Sequence, residues 1–124
     1  MFGRLIATLR DLIRGGTSQV RQIAPADIRR WWDEGAAILI DVREPEEYAE
    51  EAIDGAINLP LSCFDPAAVP RPGPGRHLVL QCQRGIRCGS AAARLVAAGW
   101  SGEIIRMQGG LTGWKEAGGP TCRP

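Results

Sequence analysis

The stretch His77-Leu78-Val79-Leu80-Gln81-Cys82-Gln83-Arg84-Gly85-Ile86-Arg87-Cys88-Gly89-Ser90-Ala91-Ala92-Ala93-Arg94-Leu95-Val96-Ala97-Ala98 reads in three pieces. His77–Gln81 is a short apolar run, the pattern of a strand buried on both faces. Residues 82–86 form a loop that holds a Gly and an Arg. Residues 87–98 are Ala-rich, predict a helix and are stopped by Gly99. The surrounding chain repeats this alternation. Residues 18–23 predict a strand. Ala24-Pro25-Ala26-Asp27 opens a helix whose apolar side is Ile28, Trp31 and Trp32, with Gly35 at its end. Residues 36–42 are a second buried strand, 43–51 an acidic helix, and 53–60 extended chain. Pro66, Pro70, Pro72 and Pro74, with Gly73 and Gly75, make 65–76 an irregular loop. Residues 103–107 are a third core strand. Gly109-Gly110 breaks the chain before a short helix over 111–117, and 118–124 reads as a loose tail. Strands alternating with helices predict an α/β domain whose parallel sheet is covered on both faces.

The length of 124 residues fits one domain with a core large enough to fold without a metal or disulfide staple. The expected division is an N-terminal amphipathic helix and linker over 1–17, a domain over 18–117, and the tail. In the first segment Phe2, Leu5, Ile6, Leu9, Leu12 and Ile13 share one helical face, opposite Arg4, Arg10, Asp11 and Arg14. That face can pack on the domain, on a second chain, on a protein partner or on a membrane surface. No apolar run reaches membrane-spanning length. The chain has 15 basic and 14 acidic residues, a net charge of +1, which argues against a nucleic-acid partner. No secretory signal is read, so the cytoplasm is the expected location and the four Cys are expected as thiols. They include no Cys-x-x-Cys and there is one His, so no metal site or other cofactor is expected.

Cys82 stands where an α/β sheet binds ligands, at the carboxyl end of a strand and before a helix N-terminus. Backbone N–H groups converging there stabilise an anion, and for Cys82 that anion is its own thiolate, the nucleophilic form. Gly85 permits positive φ, so that the loop can curl. Arg84 and Arg87 add charge for an anionic substrate. An inert, buried Cys would need no such loop.

Three segments in order resemble the rhodanese family of sulfurtransferases. Cys82-x-x-Gly85-x-Arg87 matches its active-site loop. Asp41-Val42-Arg43-Glu44-Pro45-x-Glu47-Tyr48, with Ile53-x-Gly55-Ala56-x-Asn58-x-Pro60, is similar to its upstream signature, and Gly109-Gly110-Leu111-x-x-Trp114 to its C-terminal one. The resemblance implies a single-domain rhodanese-like fold: a mostly parallel, five-stranded sheet with helices on both faces. It implies a thiosulfate sulfurtransferase-like enzyme. Cys82 would take sulfane sulfur from thiosulfate or another persulfide donor, hold it as a persulfide, and pass it to a thiol or cyanide. Gln83, Arg84, Gly85, Ile86, Arg87 and Cys88 would form the anion-binding loop, and Asp41 and Arg43 would be structural supports. The alternatives are a sulfur-carrier or docking module at a membrane or in a complex, and phosphatase or arsenate reductase chemistry. The latter is disfavoured because four residues separate Cys82 from Arg87, one fewer than in related phosphatases.

Three positions depart from the family pattern. Glu51-Ala52 replaces the usual Gly-His, and Cys88 stands where Ser or Thr is common. Cys88 can donate its S–H to the loop, resolve an oxidised Cys82 as a disulfide, or point away. Cys63 is expected near the site mouth and Cys122 is incidental. His77 reads as a surface residue, the four Trp as core, and Glu44, Glu46, Glu47, Glu50 and Glu51 as a solvated helix face.

Overall fold

A computed structural model describes residues 18–124. The amphipathic segment 2–14 lies outside them. Five strands form one sheet: β1 (Ser18–Ile23), β2 (Ala37–Asp41), β3 (Ile57–Asn58), β4 (His77–Gln81) and β5 (Gly102–Met107). Four α-helices connect them: α1 (Pro25–Asp33), α2 (Pro45–Glu50), α3 (Arg87–Ala97) and α4 (Gly110–Glu116). The strand order is β1-β5-β4-β2-β3 and every strand pair is parallel. The expected α/β architecture is therefore present, with a fully parallel sheet. An antiparallel bridge, Ala52 with Cys122, lies outside the strands.

The two sheet faces bury separate cores. On one face Ile40, Leu78, Leu80 and Ile104 pack under Cys88, Ala91, Ala92 and Leu95 of α3. On the other, Leu39, Val79, Ile105 and Met107 meet Ile28 of α1 and Leu111 and Trp114 of α4. Alternating strand residues thus feed opposite cores, which is why β2 and β4 read as continuous apolar runs. Residues 53–60 are mostly turn, and only Ile57–Asn58 pairs as a strand. The Pro-rich loop contains one 3-10 turn, Pro66–Ala68.

The tail is fixed, contrary to the expectation. Gly119 N donates to Trp114 O at 2.8 Å, Trp114 Nε1 to Pro120 O at 2.9 Å, and Ala52 and Cys122 exchange both backbone hydrogen bonds. A buried indole N–H needs an acceptor, and the tail supplies it. The register sets the working edge. Asp41 lies beside Gln81 on β4 and Asn58 on β3, so three strand ends finish at one level beneath Cys82.

Candidate active site

Cys82 leaves β4 and is 1% exposed. Its Sγ accepts a hydrogen bond from Gly85 N at 3.1 Å. Gly85 has φ +89, which turns its amide back toward the sulfur. Ile86 caps α3 without a side-chain bond; the Gly89 amide donates to Ile86 O at 3.1 Å and the Cys88 amide faces the loop. The Cys82 pKa is held down to about 5. The Cys88 thiol beside it contributes most, followed by the backbone amides of Cys88, Gly85 and Arg84, against burial, which pushes it up. Cys88 is fully buried beside Cys82, and its S–H donates to Gly85 O at 3.2 Å. Its own pKa is raised, first by the neighbouring Cys82 sulfur and then by burial, so it stays protonated.

The loop rests on the Gly109–Gly110 turn. Leu111 N donates to Cys82 O at 2.8 Å and Thr112 N to Gln83 O at 3.1 Å. A Cβ on Gly110 would stand 2.4 Å from Cys82 O and 2.7 Å from the Gln83 carbonyl carbon. One on Gly85 would meet Gly109 N at 3.0 Å. The two glycine sites thus face each other because backbone packs directly on backbone.

Below the loop, Arg43 and Asp41 form a buried ion pair at 2.7 Å. Arg43 also donates to Glu51 O at 2.7 Å and to Gln83 Oε1 at 3.2 Å. Asn58 Nδ2 donates to the Asp41 and Arg43 carbonyls. Gln83 Nε2 reaches Thr112 Oγ1 at 3.3 Å. The pair ties three strand ends to the loop, and neither member points into the pocket.

The open pocket above Cys82, of ≈ 340 Å³, is lined by Glu47, Gln83, Arg84, Ile86 and Arg87. Arg87 is not a free cation. Its two Nη atoms bond both oxygens of Glu47, at 2.6 and 2.8 Å. The guanidinium holds the Glu47 pKa down to about 2. Arg84 is exposed and makes no ion pair among the described residues.

A rhodanese-like domain family model matches residues 24–117. This chain belongs to the rhodanese-like domain family. It is 44% identical over 101 residues to an uncharacterized protein of Synechocystis, covering 82% of this chain and 55% of that protein. The chain thus spans about half of that relative. It is 30% identical over 96 residues to a sulfurtransferase of Allochromatium vinosum, covering 77% of this chain and 88% of the relative. The crystal structure of a rhodanese-related protein from Thermoplasma volcanium superposes with a TM-score of 0.69 at 27% identity, covering 84% and 99% of the two chains. The resemblance read from the three sequence segments is thereby shown, and with it membership of a sulfurtransferase-containing family.

Several residues of this rhodanese-like domain act differently from their sequence reading. Glu44 caps α2 and bonds Ser62, Glu47 holds Arg87, and Glu51 pairs with Lys115 at 2.9 Å, so the acidic face is only partly solvated. His77 stacks on Trp31 at 3.9 Å and bonds Glu103, so it is built into a side-chain cluster rather than a bare surface residue. Cys63 is exposed and does not line the pocket. Trp100 and Trp114 are core, whereas Trp31 and Trp32 are half-buried, and none of the four lines the pocket.

Two supports were missed in the sequence reading. Glu47 hid inside an acidic helix, although its place three residues after Glu44 is that of a capping box. Arg106 donates to Gly85 O at 2.9 Å from β5. A lone Arg within Ile104-Ile105-Arg106-Met107 was its signal, because a charge in a buried strand needs a partner. Among the described residues, no group of three or more His, Cys, Asp or Glu side chains is placed to hold a metal. None of their helices is long and apolar enough to cross a membrane.

Proposed function

We propose that this rhodanese-like domain is a sulfurtransferase working through a persulfide on Cys82. The observation that carries this is the Cys82 sulfur, within hydrogen-bond reach of Gly85 N, its pKa held down to about 5, and open to a pocket. The Cys82 thiolate attacks the outer sulfur of thiosulfate or of another persulfide donor. The donor's S–S bond breaks and sulfite, or the donor thiolate, leaves with the electron pair. The outer sulfur stays on Cys82 as a persulfide anion. The loop amides that hold the thiolate suit this anion too. An acceptor thiolate or cyanide then attacks the outer sulfur and Cys82 leaves as thiolate. Two half-reactions through one covalent intermediate make a ping-pong sequence without net oxidation.

In this reading Gln83 to Cys88 form the loop whose amides hold the anion, Asp41 and Arg43 brace the loop, and residues 18–117 are the catalytic unit. The four free thiols suit a reducing compartment such as the cytoplasm. Intact mass before and after thiosulfate tests the reading. The wild type gains one sulfur atom, cyanide removes it, and Cys82→Ser gains none. No gain in fully reduced wild type, with thiosulfate or with an alkyl persulfide, would overturn it.

A further inference from the structure

The lining of the Cys82 pocket carries two positive groups, Arg84 and Arg87, and two negative ones, the Cys82 thiolate and Glu47. Of the other nearby cations, Arg43 is paired with Asp41, and Arg106 lies beneath the loop, where it donates to Gly85 O. The Glu47 carboxylate is fixed by both Arg87 Nη atoms and by Glu44 N. A dianion seeking Arg87 must displace a bidentate, charge-assisted partner. The rim offers instead Ile86, 77% exposed, which suits contact with a carbon chain.

We propose that Glu47 is a specificity-determining residue: it withholds Arg87 from anions and tilts sulfur-donor choice from the thiosulfate dianion toward persulfides of low net charge. This rests on Cys82 being the sulfur carrier. Glu47, paired to Arg87 through both its oxygens and ionised down to about pH 2, covers that guanidinium wherever Cys82 is a thiolate.

The test compares thiosulfate with cysteamine persulfide, whose ammonium and persulfide charges cancel, with cyanide as acceptor. Glu47→Gln keeps the acceptor for Glu44 N and removes the charge. The ratio of kcat/KM for thiosulfate over the persulfide is expected to rise about tenfold at low ionic strength, from one uncovered unit charge acting on a dianion through a largely aqueous gap. Added salt shrinks the rise. The double variant Glu47→Gln/Arg87→Gln restores the balance and returns the ratio toward wild type. An unchanged ratio, or one that moves toward the persulfide, overturns the proposal. The wild type gives a reading that needs no variant. Its thiosulfate kcat/KM should change by no more than about twofold with salt, because the two positive and two negative groups that line the pocket balance. A steep fall with salt overturns the proposal. Sulfur uptake by Cys82, followed by mass in the same samples, separates the two readings: if neither donor loads Cys82, the carrier reading fails and this one with it.

Discussion

Arg106 donates a hydrogen bond to the Gly85 carbonyl at 2.9 Å, across 21 positions of sequence. The same carbonyl accepts from Cys88, and the Gly85 amide donates to Cys82. Gly85 thus links β5 to the Cys82 sulfur through its carbonyl and its amide. Gly89 makes room for it, since a Cβ there would stand 3.1 Å from Arg106 Nη2. Arg106→Met keeps the apolar stem and removes the donor. Cys82 alkylation should then need a higher pH, and its rate at pH 6 should fall. An unchanged alkylation profile would show that the loop holds its shape without β5.

The Cys82 pKa of about 5 fixes the sign of the pH dependence. Alkylation by neutral iodoacetamide should rise through pH 5 and level off above pH 6. The folded value lies below that of a free thiol, so ionisation favours the folded state. That contribution is complete above the free-thiol pKa and fades as the pH falls toward about 5. Because the Cys88 thiol is the largest cause, Cys88→Ala should move the alkylation midpoint up and Cys88→Ser should largely keep it. Equal midpoints in all three proteins would assign the shift to the backbone alone.

Gly110→Ala and Gly35→Ala separate backbone strain from collision. Both glycines have positive φ, +58 and +71, but a Cβ at Gly35 meets nothing within 4 Å, whereas one at Gly110 strikes Cys82 O. Gly35→Ala should cost about 1 kcal/mol, the left-handed penalty alone. Gly110→Ala should cost about 2 kcal/mol more and slow Cys82 alkylation, because the loop must move away. Equal losses in urea unfolding would mean that the loop yields freely.

Asp41→Asn leaves Arg43, 2% exposed, without its counter-charge. Breaking a buried pair from one side costs about 3–5 kcal/mol. Replacing both residues, Asp41→Asn with Arg43→Met, should cost less than the single change. A single-variant loss under about 1 kcal/mol would mean that water reaches the pair.

The fold was legible because each local pattern agreed with the global one. The runs in β2 and β4, the Pro in the first turn of α1 and the Ala-rich α3 each named their own element. Cys82 was legible for the same reason, since strand, loop and helix are contiguous in sequence. What escaped were long-range partners. Glu47 and Arg87 are 40 positions apart, and nothing local distinguishes a carboxylate that grips an arginine from one that faces water. The tail looked loose because composition does not show that Trp114 Nε1 needs the Pro120 carbonyl.

The bonds from Leu111 and Thr112 to the Cys82 and Gln83 carbonyls have a consequence in time. While the protein is being synthesised, Cys82 emerges well before residues 109–112. Until that later turn is made and docked, the loop lacks the two carbonyl contacts that seat it. The ordering of the Cys82 loop therefore waits on residues made well after it.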